Sequence, residues 1–304
     1  MALKHIKLKI QSVKKTSTVT RAMEAVSAVK MRKAQERALG GRAYAAAALT
    51  ILEKLSGTVD LKGNPLSSAR PGKTALVVVT SDKGLAGALN SAVMRAAEME
   101  IGRRALAKDD IVVLAIGRRG GDYFLTRGYD VRERHENLSD GVTENDVLRI
   151  SARLLDMHAS GEIGSAIVIY QNFLSTFEQK PVVRQLVPLE KETIQELVRG
   201  IAPARGRYAG MTGVEVVSPA TYTIEPNAEA VFRDLLPRLL NIAVFHALLE
   251  AKASEHSARM VAMKSATDKA KEMAKELTRK FNKVRQAAIT REVSEIVGGI
   301  EAMK

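Results

Sequence analysis

The chain has no cysteine, which removes disulfides, thiolate metal sites and a cysteine nucleophile at once. It also lacks long apolar runs. The best of them, Leu239 to Leu249, is interrupted by Asn241 and His246 and falls short of the ~20 residues of a membrane helix. No segment is therefore expected to span a bilayer. Glycine and proline are missing from two regions, Met1 to Leu39 and Arg238 to Val297, and that absence predicts two long helices. At 1.5 Å per residue the second reaches roughly 90 Å, several times the common globular helix of about 11–12 residues. Aromatic side chains are scarce in the same regions: no Trp or Tyr precedes Tyr44, and only Phe245 and Phe281 follow residue 238. Stacking on nucleic-acid bases has almost nothing to work with.

What is present is apolar enough, at 46% of the 304 residues, to pack one or two cores. The net charge of +13 is distributed unevenly. Residues 1–39 hold ten Lys/Arg against two Asp/Glu, and residues 238–304 hold thirteen against eight, while residues 40–237 carry 24 of each sign. The basic surface is thus confined to the two chain ends, which are expected to work together against something acidic. Residues 1–23 are basic, contain Ser and Thr and have no acid, as a transit peptide would. The helical pattern continues through Met31 and Gln35 without a break, so the segment reads as part of the working protein.

Periodicity shows what the two helices need. Met263, Ala266, Ala270, Met273 and Leu277 recur at 3,4 spacing and then shift to Phe281, Val284 and Ala288, a coiled-coil seam with a small slip. Ile6, Ile10 and Val13 start a matching stripe that turns smaller and more polar at Ser17, Thr20 and Ser27. Met260, Val261, Ala274, Ala287 and Ile289 fall outside this seam, so the second helix carries more apolar surface than one partner helix covers. Pairs such as Glu255 with Arg259 and Glu276 with Lys280 support the helix at i,i+4. Most of its charges read as a solvated, salt-bridged face.

Between the helices lies an α/β pattern. "TALVVVT" (74–80), "DIVVLAI" (110–116) and "SAIVIYQNFL" (165–174) are buried-strand runs, separated by helical stretches at Ala88 to Ala105 and Thr143 to His158. "PVVRQLVPL" (181–189) adds an edge strand, with prolines at its ends. This predicts a mostly parallel sheet covered by helices. The expected divisions are an N-terminal coiled-coil helix at 1–58, a linker at 59–73, the α/β domain at 74–200, a connecting loop and strand at 201–226, and the long C-terminal helix at 227–304, with a kink expected at Pro237.

Catalytic chemistry is hard to find. "GKT" at 72–74 precedes a strand where a phosphate loop would follow one, and Ser67 stands where that motif needs glycine. "SDKGLAGALN" (81–90) follows a strand and enters a helix, but it matches neither dinucleotide nor phosphate motifs and reads as a tight turn. The five histidines have no ligand spacing, so no metal site is expected. With no catalytic residue and no cofactor expected, two classes remain: a nucleic-acid binder, or a mechanical subunit whose coiled coil enters a protein partner. The dispersed positive charge and absent aromatics favour the second.

Four blocks decide between them. "IKLKIQSVKKTSTVTRAMEAVSAVKMRKAQ" (6–35), "TSDKGLAGALN" (80–90), "SEHSARMVAMKSATDKA" (254–270) and "RQAAITREVSEIVGG" (285–299) resemble the gamma subunit of F-type ATP synthase, in the family's order and across essentially the whole chain. Departures are Ala86 where many members have Cys, Lys269 where Asn is common, and the tail "GGIEAMK" in place of a run of small residues.

The resemblance implies an antiparallel coiled coil of the N- and C-terminal helices with an inserted Rossmann-like α/β domain. It implies a central-stalk rotor inside the hexamer of alpha and beta subunits, resting with epsilon on the c-ring, without a nucleotide site or cofactor of its own and without nucleic acid as a partner. Membrane association would come through the complex, at the cytoplasmic face of a bacterial inner membrane or, for a mature organellar chain, its equivalent. By matching position, Arg285 and Gln286 would bond acidic loops of the hexamer, with Thr290 and Glu292 nearby. Met23 and Arg259 would lie in coupling regions, and Ile296 and Val297 at a hydrophobic bearing.

Overall fold

The computed structural model describes residues 2–55, 64–68, 70–190, 193–194, 196 and 227–303; the segment expected to connect at 201–226 and the start of the expected linker, 59–63, lie outside them. Two compact units divide the chain. One comprises Met1–Ser27 with Met260–Lys304, the other Ala28–Arg259.

Two helices run through both units: α1, Ala2–Leu55, and the C-terminal helix, Ala228–Ala302. The first continues through Gly40 and Gly41, and the second through Pro237. In the first unit they form a pair. Thr20 Oγ1 lies 2.7 Å from Thr267 Oγ1, and Lys14, Ser17 and Thr18 share a groove with residues 271–282, so descending α1 means ascending its partner: the pair is antiparallel. The less exposed positions of α1 are Leu3, Ile6, Ile10, Val13, Ser17, Thr20, Glu24 and Ser27, with Met23 alongside, an unbroken 3,4 repeat. From Met263 onward those of the C-terminal helix are Met263, Thr267, Ala270, Ala274, Leu277, Phe281, Val284 and Ala288, with the half-buried Ala266 alongside.

This corrects the expected seam. There is no slip; Thr267 and Ala274 occupy it in place of Ala266 and Met273, and Met273 is 42% exposed. Small side chains let the two backbones approach, and a bulky Met at the same level would hold them apart. The hydroxyls in α1 remain compatible with helix because Thr16 and Thr18 donate to carbonyls four residues back, and Thr20 Oγ1 lies within reach of the Thr16 carbonyl.

The second unit is a three-layer α/β domain. After α1 come β1 (Lys73–Val79), α2 (Leu89–Arg103), β2 (Ile111–Ile116), α3 (Arg118–Thr126), β3 (Asp130–His135), α4 (Glu144–Ala159), β4 (Ile163–Phe173) and β5 (Gln179–Val187); the C-terminal helix is then α5. The sheet order is β3-β2-β1-β4-β5, with β5 antiparallel to β4 and the other neighbours parallel. Alternate residues of the central strands face opposite layers. Ala75, Val77 and Val79 share a core with Ile150 and Leu154 of α4 and with Leu236, Leu240, Val244 and Leu248 of α5. Leu76 and Val78 share the other with Val93 and Ala97 of α2 and Phe124 of α3. Burial on both faces is why these strands read as continuous apolar runs. It also accounts for the apolar stretch Leu239 to Leu249, which covers one face of the sheet.

Two elements were not expected from the sequence. Strand β3, "DVRERH", is an edge strand of alternating charges, with no apolar run to mark it. Helix α3 contains Gly120 and Gly121, which lower helix propensity but let it lie against the sheet, since a Cβ on Gly120 would crowd the Thr80 side chain.

Candidate functional site

The expected contact residues fall into three places: the distal part of α5, Met23 on α1, and Arg259 in the second unit. Arg285, Gln286, Thr290, Glu292, Ile296 and Val297 lie on the distal part of α5 in the first unit, and all are exposed. The last half-buried seam residue is Ala288, and every described side chain from Ile289 to Ile300 is exposed. Pairing from Thr20–Thr267 brings the start of α1 level with about residue 285 at equal rise. Beyond that point α5 continues for roughly five turns with no other described helix paired to it.

Its surface is organised. Ile289, Val293, Ile296 and Ile300 follow at 4,3,4 spacing and, with Val297, are 50–63% exposed. At 100° per residue this stripe is turned by about 110° from the seam, so it is not a continuation of the face that meets α1. The six expected residues share the stripe's half of the helix: Arg285 and Glu292 flank it on one side, Gln286, Thr290 and Val297 on the other. Among the described residues Arg285 and Glu292 make no ion pair, and the Thr290 hydroxyl donates to the Gln286 carbonyl at 3.0 Å. The arrangement offers an exposed apolar strip edged by exposed polar side chains.

Lower on the same pair, Lys14, Lys271, Lys275 and Arg279 line a groove with Ser17, Thr18, Ala274, Thr278 and Asn282. Four cations and no carboxylate make it electropositive. Met23 is half-buried beside the seam.

Arg259 belongs to the second unit and is 9% exposed. Its Nη2 donates to Glu255 Oε1 at 2.7 Å, and its Nη1 lies 3.5 Å from His256 Nδ1. His256 Nε2 is 2.8 Å from Asp140 Oδ1, and Asp140 Oδ2 is 2.7 Å from Lys30 Nζ. The tautomer follows from chemistry, since a guanidinium only donates: Nδ1 accepts from Arg259, and Nε2–H donates to Asp140. Burial lowers the His256 pKa, and the nearby Arg259 charge adds to this, against the opposing pull of Asp140 and Glu255. Burial would raise the Asp140 carboxyl, but the Lys30 and His256 contacts outweigh it and hold it at about 2. Arg259 is therefore already satisfied within its own unit, unlike Arg285. The participation of Lys30 and Asp140 was not readable from the sequence, because their positions are far from His256 along the chain and form no motif.

The "SDKGLAGALN" segment is a braced turn. Ser81 N–H donates to Asn90 Oδ1 at 2.9 Å, Asn90 Nδ2 to Ser81 Oγ at 2.8 Å, and Ser81 Oγ to the Lys83 carbonyl at 2.6 Å. Asp82 accepts from the backbone N–H of Arg118 and of Asn137, both at 3.0 Å. Gly117 completes the crevice at φ +90°, where a Cβ would strike the Thr80 carbonyl. Among the described residues no group of His, Cys, Asp and Glu could hold a metal ion, and no helix is long and apolar enough to cross a membrane.

Known proteins match this architecture along its whole length. The ATP synthase family model covers residues 2–303. An ATP synthase gamma chain from Pelotomaculum thermopropionicum is 35% identical over 304 residues, covering 100% of this chain and 99% of the relative. One from a Roseiflexus species is 38% identical, covering 99% of this chain and 98% of the relative. Among solved structures, a chain of the Euglena gracilis mitochondrial ATP synthase superposes with a TM-score of 0.65 at 16% identity, covering 99% of this chain and 94% of that one. A chain of the Tetrahymena thermophila mitochondrial ATP synthase central stalk and c-ring gives 0.59 at 22% identity, covering 82% and 99%. Full-length identity at this level, joined to the shared fold, is decisive: the chain belongs to the ATP synthase gamma-chain family.

Proposed function

We propose that the chain is the central-stalk rotor of an F-type ATP synthase, coupling rotation of an ion-driven c-ring to the conformational cycle of the beta subunits. The observation that carries this reading is the distal part of α5, whose apolar stripe is exposed and whose Arg285 makes no ion pair among the described residues, in a chain of the gamma family. An alternating hexamer of alpha and beta subunits would enclose it, with Ile296 and Val297 at the bearing, and Arg285, Gln286, Thr290 and Glu292 meeting polar loops. Met23 and Arg259 would lie in coupling regions. The α/β domain, with its "SDKGLAG" turn, would sit at the base with epsilon on the c-ring, and membrane association would come through that assembly.

The physics of coupling asks only for unequal contacts. A two-helix shaft has no threefold symmetry, so each beta subunit meets a different face. The difference in contact free energy biases each towards a different nucleotide affinity. No catalytic step is assigned to this chain, and no nucleotide site. Co-purification tests the reading: a tagged chain should bring down alpha and beta subunits and support ATPase activity in the assembly. Calorimetry of the isolated chain with ATP should show no tight stoichiometric binding. A chain that binds ATP tightly alone, or recovers neither subunit, overturns the assignment.

A further inference from the structure

The loop between β3 and α4 touches both long helices within the second unit. From α1, Lys30 Nζ reaches Asp140 Oδ2 at 2.7 Å, and the Arg37 guanidinium lies over Gly141, where a Cβ would collide with it. From α5, His256 Nε2 donates to Asp140 Oδ1 at 2.8 Å, and Lys252 Nζ donates to the Leu138 carbonyl at 3.1 Å. Each oxygen of one carboxylate therefore serves a different helix.

The loop itself is held at both ends. Asn137 N–H donates to Asp82, Leu138 and Val142 are buried in the core, and Thr143 with Asp146 forms a capping box at the start of α4. Asn137 and Val142 both have positive φ, at 57° and 43°. Neither is glycine, so surrounding contacts must hold the loop in this shape. A rigid loop with a two-ended carboxylate acts as a cross-brace, whereas a surface ion pair on a free loop would hold little.

We infer that Asp140 is a positioning residue for coupling: it clamps α1 to α5 through the α/β domain, so that the domain and both helices turn as one body. The consequence for coupling rests on the proposed rotor function; the clamp itself does not. Without the carboxylate, α1 loses its polar link at Lys30 while α5 keeps its packing on the sheet. Load on the domain would then reach α5 with α1 lagging.

The experiment uses the assembled complex in vesicles, reading ATP hydrolysis and ion uptake per ATP, together with amide exchange of the free chain. Asp140→Ala should keep hydrolysis within about twofold, lower uptake per ATP at least threefold, and speed exchange in residues 28–37. His256→Gln keeps an N–H donor towards Asp140 and should restore most of the uptake that His256→Phe loses, a rescue that a merely structural role would not give. If Asp140→Ala does not assemble, Asp140→Asn with Lys30→Met carries the same comparison. Unchanged uptake in these variants overturns the inference, as does a loss that follows the amount of assembled complex alone. A wild-type chain that fails to assemble overturns the rotor reading instead, and the exchange measurement then decides the clamp by itself.

Discussion

Thr20 and Thr267, 247 positions apart in the chain, meet hydroxyl to hydroxyl at 2.7 Å inside the helical pair. Each also lies within hydrogen-bond reach of a carbonyl four residues back, Thr16 at 3.0 Å and Met263 at 2.8 Å. Two hydroxyl protons serve three acceptors, so one threonine donates within its helix and the other donates across. The pair sets the helix register as a buried polar contact rather than as a large apolar knob.

That register makes the seam testable. Thr267→Val keeps the shape and removes the cross-helix bond, and should cost about 1 kcal/mol. Ala274→Leu overfills the seam and should cost about 1–3 kcal/mol. Met273→Ala should stay within about 0.5 kcal/mol, as surface substitutions do. Urea unfolding followed by helical circular dichroism checks all three. A tolerated Ala274→Leu with a costly Met273→Ala would restore the seam phase expected from the sequence.

Arg285 and Gln286 are exposed in the isolated chain, so replacing both with Ala should leave its unfolding midpoint unchanged. In the assembled enzyme the same change should weaken coupled turnover several-fold, because charge-assisted bonds contribute about 1.5–3 kcal/mol when desolvated in an interface. Full ATPase and full ATP synthesis in assembled variant complexes would remove these residues from the coupling surface.

Ile296 separates folding from assembly in another way. Ile296→Ser should not destabilise the free chain, since the side chain is 63% exposed there, and it should reduce the apolar stripe. If the stripe is a bearing surface, hexamer association should weaken by about 1–2 kcal/mol, on the order of tenfold in affinity. Equal co-purification of wild type and variant would refute the bearing.

The charge network around His256 predicts an acid-sensitive unit. Its neighbours are Lys30 on α1, Asp140 on the loop, and Lys252, Glu255 and Arg259 on α5. The folded state lowers the His256 pKa, so its contribution is fully present above the unfolded value of 6.5 and falls as acid protonates the unfolded chain first. Asp140, held at about 2 against an ordinary 3.8, contributes above 3.8 and loses its contribution as pH falls through about 2. For a carboxylate 38% exposed, solvent screening reduces that contribution to about 1 kcal/mol. Unfolding midpoints from pH 7.5 to 5 should fall for wild type and flatten for His256→Gln. Parallel curves would remove His256 as the source.

The central strands were legible because both of their faces are buried: "ALVVV" and "IVVLAI" have no polar side to interrupt them. Strand β3 was not, because an edge strand with Arg132 and Arg134 paired to Asp130, Asp122 and Glu136 reads like solvated loop. The exposed distal residues were legible as residues and not as geometry. Arg285 and Ile296 could be named from the family's blocks, but their common arc, turned away from the seam, appears only once the seam is located. The family's blocks also single out Arg259, but its bond to Glu255 is a property of the folded helix and its neighbours.

Local order along the chain determined the two long helices, the neutral α/β insert and the basic ends, because helix propensity, apolar runs and charge are properties of neighbouring residues. Tertiary structure decided the phase of the seam, where Thr267 and Ala274 are chosen by how closely two backbones can approach. It also decided the meeting of Lys30, Asp140 and His256, whose bonds join positions more than a hundred residues apart. No local preference encodes such a bond; it exists only where packing of the sheet and both helices has already fixed the distance between its ends.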